Sequence, residues 1–169
     1  EVDPVDVEAD LRVNTFDIEV DDRNGFPEDG EEPIICLTSH DSYDDEYVVW
    51  LAIADEYDGD APAALPDYAP IEGELDLRVE VFDGADQLEA ERKMLEAFLD
   101  YIDETDPDLM TGWNFEDFDA PYFLDRLEEL SSTMHDQDLR PDRLSRVNEV
   151  WRSGWGGPNV KGRVVFDLL

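Results

Sequence analysis

The stretch LRVNTFDIEV, at residues 11–20, decides how the fold begins. Its side chains alternate, with Phe16 and Ile18 on one side and Asp17 and Glu19 on the other, and this pattern predicts a β-strand with one apolar face. Acid-x-acid pairs are frequent by chance, about 13 in this chain, because 47 of its 169 residues are Asp or Glu. The spacing alone leaves two hypotheses open: a pair of metal ligands, and the solvated face of an edge strand.

A second acidic cluster, GWNFEDFDAPYFLDRL at residues 112–127, predicts the end of a buried strand at about 109–113 and a helix at about 119–130. Asp119 stands at the start of this helix, and Pro121 suits its first turn. Asp119 is therefore either a helix N-cap or a third ligand beside the two strand carboxylates. Magnesium prefers carboxylate and water oxygens, and two ions about 3.5–4 Å apart can carry out phosphodiester hydrolysis.

Between the two clusters, β-branched runs alternate with turns. Residues 33–39 and 46–53 predict a β-hairpin that continues the first strand. Residues 55–76 hold prolines and glycines among small acidic residues, so they predict a long surface loop. Residues 78–82 predict a short fourth strand, and residues 162–166 predict the last strand.

The hydrophobic period changes to that of a helix at about residue 86. Asp86 and Glu89 predict a capping box at the helix start. The following apolar residues form one stripe at helical spacing, which predicts packing against the sheet: Leu88, Leu95, Phe98, Leu99 and Ile102. Three sequential strands followed by strand–helix–strand–helix predict an α/β fold with a mixed sheet.

The charge of the chain is extreme, since 47 acidic and only 12 basic residues give a formal net charge of −35. The acid is spread along the whole chain, and 41% of the residues are hydrophobic, which argues against disorder. Such a surface is typical of proteins from molar salt, where charges are screened over about 3 Å. We therefore predict a halophilic source. A nucleic-acid mimic, which presents carboxylates in place of phosphates, is the alternative.

Cys36 is the single cysteine, so an intramolecular disulfide is excluded and a reducing cytoplasm is favoured. The sequence shows no apolar run of membrane-spanning length and no signal-peptide pattern. We predict a cytoplasmic protein with one domain at residues 11–169, preceded by an acidic segment at residues 1–10. The chain lacks an initial Met and stops directly after a strand-like run, so we expect it to be a piece of a longer protein.

FDIE, followed at this distance by DPDLMTGWNFEDFDAPYFLDRL, resembles the first two exonuclease motifs of family B DNA polymerases. VKGRVVFDLL resembles the segment that follows these motifs in archaeal members. The resemblance covers approximately residues 11–169, and the matching positions of the second motif are Gly112, Asn114, Phe118, Asp119, Pro121 and Tyr122. It implies a ribonuclease-H-like fold and proofreading hydrolysis from the 3′ end of DNA with two Mg²⁺ or Mn²⁺ ions.

The resemblance also implies a role for each motif residue. Asp17 would bridge both metal ions, Glu19 would bind the water-activating ion, and Asp119 would hold the ion on the leaving-group side. Asn114 would contact the terminal nucleotide of the substrate, and Phe118 belongs to the same substrate-binding motif, although core packing is its alternative. The implied partners are a single-stranded or frayed 3′ end of DNA and the remaining domains of the polymerase.

The third motif of the family, a Tyr and an Asp four residues apart, is missing from the sequence. Asp167 does not supply it, because that residue matches the FD of the preceding segment. We therefore expect residues 1–169 alone to be inactive or very weakly active. A catalytically silent scaffold with an exonuclease fold, and the acidic DNA mimic, are the alternative functions.

Several further residues that could carry chemistry have simpler interpretations. For Phe16 on the apolar strand face and for Trp113 in a strand flanked by apolar residues, we expect core packing, with base stacking as the alternative. His40 and His135 lie at a strand end and in a polar stretch, so we expect surface roles. The basic residues between 140 and 163 either face DNA or another domain, or form ion pairs within the acidic surface.

Overall fold

A computed structural model describes residues 10–27, 29–54, 76–152 and 157–169. In these residues it contains eight β-strands: β1 Val13–Val20, β2 Ile34–Asp41, β3 Glu46–Ala54, β4 Asp76–Gly84, β5 Leu109–Gly112, β6 Val150–Arg152, β7 Pro158–Val160 and β8 Val164–Asp167. Two α-helices, α1 Gln87–Thr105 and α2 Ala120–Met134, accompany them. The shorter helical turns are a π-helix at Phe115–Asp119 and 3₁₀-helices at Gln137–Leu139 and Pro141–Leu144.

Six of the strands form one mixed sheet in the order β4-β3-β2-β1-β5-β8, and β6 and β7 form a separate antiparallel pair. Strands β1, β2 and β3 pair antiparallel, as the hairpin pattern predicted. Strands β5, β8 and β4 pair parallel with β1, β5 and β3, respectively. The predicted mixed α/β sheet is confirmed. Residues 55–75 of the predicted loop and residues 1–9 of the predicted acidic segment lie outside the described residues.

Helix α1 begins where the capping pattern predicted. Asp86 accepts a hydrogen bond from the Glu89 N–H at 2.8 Å, and the Glu89 carboxylate accepts one from the Ala85 N–H at 3.0 Å. The predicted stripe is wrong at Leu88, which is 38% exposed. The first turn instead meets the sheet through Ala90, whose backbone N lies only 2.4 Å from where a Cβ on Gly84 would be. In the first turn of α1, Ala90 is therefore the residue that packs in the core, and Leu88 stays exposed.

The core is centred on Phe16 of β1. Its ring packs edge to face against Phe98 of α1, Phe115 of the π-helix and Phe123 of α2, at centroid distances of 5.2, 4.7 and 5.7 Å. The prediction that Phe16 is a core residue is confirmed. Both α-helices therefore pack on one face of the sheet. None of the described helices is long and apolar enough to cross a membrane.

Candidate active site

Strand β1 presents two of the predicted site residues on the face opposite the helices. Phe16 is 2% exposed, whereas Asp17 and Glu19 are both exposed on the other face. Glu19 lies one side-chain repeat beyond Asp17 and faces Cys36 on β2. The alternation predicted from the sequence is confirmed, and it places both carboxylates in reach of solvent and of a ligand.

Asp119 meets β1 at the position where the neighbouring strand has ended. The pairing of β1 with β5 stops at Thr15 and Thr111, so the N–H of Ile18 lies beyond the end of the ladder. Asp119 is 3% exposed, and its Oδ1 accepts a hydrogen bond from that N–H at 3.1 Å. The N-cap alternative is wrong, because the Asp119 side chain makes no capping hydrogen bond to α2. The carboxylate is thus bound to the strand that carries Asp17.

The π-helix fixes the position of Asp119. Asn114 enters it in the left-handed conformation (φ 55°), and the looser winding of a π-helix is often found at functional sites. Phe115 anchors the turn in the core, and the Asp167 carboxylate on β8 accepts a hydrogen bond from the Glu116 N–H at 2.9 Å. Asp167 therefore braces the turn.

The carboxyl groups of Asp17 and Asp119 lie within hydrogen-bonding reach of each other. The pKa of Asp119 is raised to about 6: burial raises it most, the hydrogen bond from the Ile18 N–H lowers it, and the charge of Asp17 raises it. The residue Asp17 is exposed, but its carboxyl is partly desolvated by its neighbours, which raises its pKa as well. Two adjacent carboxyls are costly to ionise together, and a bound cation would remove that cost. Such a perturbed pair favours a functional site.

The pair fits a divalent cation in its chemistry, since Mg²⁺ and Mn²⁺ prefer carboxylate oxygens. Over residues 10–27, 29–54, 76–152 and 157–169, no group of three or more His, Cys, Asp or Glu side chains is placed to hold a metal ion. The structure thus brings together two of the three predicted ligands, Asp17 and Asp119. Glu19 lies on the same strand face without completing a three-ligand group.

An aromatic surface adjoins Asp119. The Phe118 ring is half-buried, stacks on Tyr122 and lies 5.7 Å from the ring of Phe26. Phe26, in the loop between β1 and β2, is 79% exposed, and sequence reasoning missed it. A large apolar residue in a loop of Asp, Gly and Pro was the signal that could have found it. Trp113 is 66% exposed, so the prediction that it packs in the core is wrong: β5 ends at Gly112, before Trp113 can enter the sheet.

The histidines lie where surface roles were expected. His40 is half-buried and contacts the carboxylate of Asp45 at 3.0 Å. His135 is exposed and ends α2 in the left-handed conformation (φ 53°). The Cys36 thiol has its pKa raised to about 11, chiefly by burial and then by the charges of Glu19 and Asp17. A thiol with such a raised pKa is a weak nucleophile and a weak metal ligand.

The basic residues between 140 and 163 form ion pairs with carboxylates of the same chain. Arg143 contacts Asp100 and Asp103, each at 2.7 Å, and so joins this segment to the end of α1. The other pairs in the described residues are Arg140–Asp142, Arg146–Asp106, Arg146–Asp108, Arg152–Asp125, Lys161–Glu149 and Arg163–Asp106. Of the two hypotheses for this segment, the ion-pair network is the one that these contacts support.

Comparison with sequence models of protein families shows which family the domain belongs to. The sequence model of the family described as "DNA polymerase family B, exonuclease domain" matches residues 1–169. The chain belongs to this family. The exonuclease domain is 30% identical over 146 residues to a DNA-directed DNA polymerase of Escherichia phage RB69, with 83% of this chain and 16% of that protein covered.

Two further relatives extend this likeness. The domain is 34% identical over 176 residues to the DNA polymerase delta catalytic subunit of Mesocricetus auratus, with 95% of this chain and 14% of that protein covered. A structure of the family B DNA polymerase from the hyperthermophilic archaeon Pyrobaculum calidifontis matches with a TM-score of 0.64 and 25% identity, over 98% of this chain and 16% of that chain. The predicted ribonuclease-H-like fold is thereby confirmed. These relatives come from a phage, an animal and an archaeon, so the archaeal and halophilic source stays a prediction.

Proposed function

We propose that this exonuclease domain removes mispaired nucleotides from the 3′ end of DNA by divalent-metal-dependent hydrolysis, as the proofreading part of a family B DNA polymerase. The pair of Asp17 and Asp119 carries the proposal, because the Ile18 N–H holds Asp119 on β1 and because joint ionisation of the two carboxyls has a cost that a bound cation would offset. The chain covers 16% or less of the length of these relatives, so delivery of the primer end would be the task of the other polymerase domains.

Bound Mg²⁺ or Mn²⁺ would activate a water molecule and stabilise the charge on the leaving oxygen. The residues of the chain would hold and orient these ions. By the family resemblance, Asp17 would help to hold both ions, Glu19 would serve the activation of the attacking water, and Asp119 would serve the leaving-group side. One oxygen of Asp119 is already engaged by the Ile18 N–H, which orients the carboxyl beside Asp17. The site is therefore partly preorganised before any ligand arrives.

The surface charge limits how DNA can be captured. With a net charge of −35, the domain repels phosphates, and counter-ion release yields little binding free energy at high salt. Base stacking is less sensitive to salt and contributes about 1–3 kcal/mol per base. The exposed ring of Phe26 contacts the half-buried ring of Phe118, which directly precedes Asp119 in the chain, so the two rings offer a terminal base an aromatic surface. We propose that these rings, with Asn114 and metal–phosphate contacts, hold the 3′ end.

Release of 3′ nucleotides from 5′-labelled single-stranded DNA in molar potassium chloride with Mg²⁺ tests this function. Both residues 1–169 and the polymerase that carries them should be measured. Asp17→Ala and Asp119→Asn should abolish hydrolysis, whereas Asp117→Asn, which removes a charge from an exposed position of the same helical turn, should not. Hydrolysis that survives Asp17→Ala, or that needs no divalent ion, would contradict the proposal.

A silent scaffold is the second candidate, and one observation favours it. Asp17, Glu19 and Asp119 do not form a three-ligand group within the described residues. An inactive domain would show no change in Mn²⁺ binding when Asp17 is replaced by Ala, because only diffuse surface carboxylates would then bind ions. Titration calorimetry of wild type and Asp17→Ala therefore separates the two candidates.

A further inference from the structure

A buried ion pair joins the two α-helices next to the site. Glu91 of α1 is fully buried, and Arg126 of α2 is 6% exposed. The Glu91 carboxylate accepts hydrogen bonds from Arg126 Nε at 2.8 Å and Nη2 at 2.6 Å, and a third from the backbone N–H of Ile34 at 2.7 Å. Buried ion pairs contribute little net stability compared with apolar residues of the same size. The groups that this pair holds in place are therefore the better clue to its role.

The pair holds the loop between β1 and β2. Arg126 Nη1 donates to the carbonyl oxygens of Gly30 and Glu31, each at 3.0 Å. One helical turn earlier, the Tyr122 hydroxyl donates to the Glu32 carbonyl at 2.8 Å and accepts from the Glu32 N–H at 3.0 Å. Three consecutive loop residues are thus bound to one face of α2. We name Glu91, Tyr122 and Arg126 the clamp.

The backbone of the loop fits this contact closely. Gly30 has φ +71°, and a Cβ at this position would lie 2.6 Å from the backbone N of Arg126. At the base of the loop, the Asp21 N–H donates to the Pro33 carbonyl at 3.0 Å. The loop is therefore closed at its base and fastened along its second half. Residues 22–26 in its first half, which include Phe26, are exposed.

Through Phe26, the fastened loop contacts the residue that precedes Asp119. The ring of Phe26 contacts that of Phe118, and Phe118 stacks on the clamp residue Tyr122, with centroid distances of 5.7 Å in both cases. Phe118 directly precedes Asp119. We propose that Glu91, Tyr122 and Arg126 are positioning residues, which order the β1–β2 loop so that Phe26 is presented to the 3′-terminal base of DNA. This inference rests on the proposed exonuclease function.

Ordering the loop before DNA arrives removes an entropy cost from binding. Loss of the clamp should therefore raise KM and leave kcat nearly unchanged, because the metal ligands are not touched. Ordering one side chain on binding costs at most about as much free energy as a tenfold change in affinity. We therefore expect KM to rise about tenfold. A role in stability alone would lower the amount of active enzyme without changing KM.

Two clamp variants and one control test the inference. Glu91→Gln with Arg126→Met removes both buried charges, and the amide of the new side chain still accepts from Ile34. Tyr122→Phe removes only the hydroxyl and keeps the ring, so it serves if the double variant does not fold. Arg92→Met is the control, because it breaks ion pairs with Glu96 and Asp136 that do not touch the loop.

Two measurements are needed, namely hydrogen exchange across residues 21–34 and the KM and kcat for hydrolysis of a 3′-ended single strand with Mg²⁺. The inference predicts faster exchange in this loop and a raised KM in the clamp variants, with both quantities unchanged in Arg92→Met. Faster loop exchange with an unchanged KM would overturn it, as would unchanged exchange. The kinetics are measured on the polymerase that carries residues 1–169. Absence of hydrolysis by that unsubstituted polymerase would instead contradict the proposed function, while the exchange data would still decide whether the clamp orders the loop.

Discussion

Replacing Asp119 by Asn should stabilise the ligand-free protein at neutral pH. The pKa of Asp119 is raised from 3.8 to about 6, chiefly by burial. The folded state therefore keeps a proton that the unfolded state releases between about pH 4 and pH 6, and stability falls as the pH rises through this window. At 1.36 kcal/mol per pKa unit, ionisation of Asp119 costs roughly 3 kcal/mol above pH 6.

Asn removes this cost and keeps the contacts of the site. Its Oδ1 can accept from the Ile18 N–H as the carboxylate does, and its Nδ2 can donate to Asp17. We expect Asp119→Asn to raise the free energy of unfolding by roughly 2–3 kcal/mol at pH 7.5, and Tm by about 5–10 °C for a chain of this size. At about pH 4, where the wild-type carboxyl is protonated, the gain should vanish.

Urea unfolding at both pH values, in molar potassium chloride with a chelator, measures this difference. High salt suppresses the repulsion between Asp17 and Asp119 but does not reduce the cost of burial, so the effect should survive. Asp117→Asn is the matched control at an exposed position. Saturating Mn²⁺ should reduce the difference in unfolding free energy between Asp119→Asn and the wild type, since the ion stabilises the wild type more than the variant. An equal gain at both pH values, or a less stable variant at pH 7.5, would refute the reasoning.

Four further predictions follow from the site and the surface. Calorimetry in high potassium chloride should show a Mn²⁺ site that Asp17→Ala removes; identical titrations would mean diffuse binding. Circular dichroism should show Tm falling from molar to millimolar potassium chloride, because unscreened repulsion acts on a marginally stable domain, and a constant Tm would contradict a halophilic origin. Gly30→Ala should destabilise by more than about 2 kcal/mol in urea unfolding, since the backbone of Arg126 leaves no room for a Cβ at this positive φ. Gly25→Ala also meets a positive φ but no atom within 4 Å, so it should cost only the backbone strain, and an equal loss in both variants would exclude the contact with Arg126 as the cause. Phe26→Ala should raise KM for single-stranded DNA about tenfold, because one base would lose its stacking partner. An unchanged KM would exclude Phe26 from DNA binding.

Local pattern was a sound guide to individual elements. The hairpin of β2 and β3, the Asp86 cap and the burial of Phe16 were all predicted from periodicity and capping residues, because a few neighbouring side chains decide them. The resemblance of the two acidic motifs indicated the family, which the match over residues 1–169 confirmed. Local pattern failed at Leu88, which stays exposed although Ala90 in the same turn packs against β4 beside Gly84. It also failed at Trp113, which stays exposed because β5 ends at Gly112.

The sequence by itself determined that Asp17 and Glu19 leave the same face of a strand, since the two-residue repeat of an extended chain is a local property. Only the tertiary structure decided what Asp119 does. Its bond to the Ile18 N–H, its raised pKa and its position beside Asp17 arise because β5 ends early and a π-helix fills the space that follows. The contact of Phe26 with Phe118 is likewise a meeting of distant residues. Desolvation and such contacts depend on everything packed around a group, which no local pattern contains.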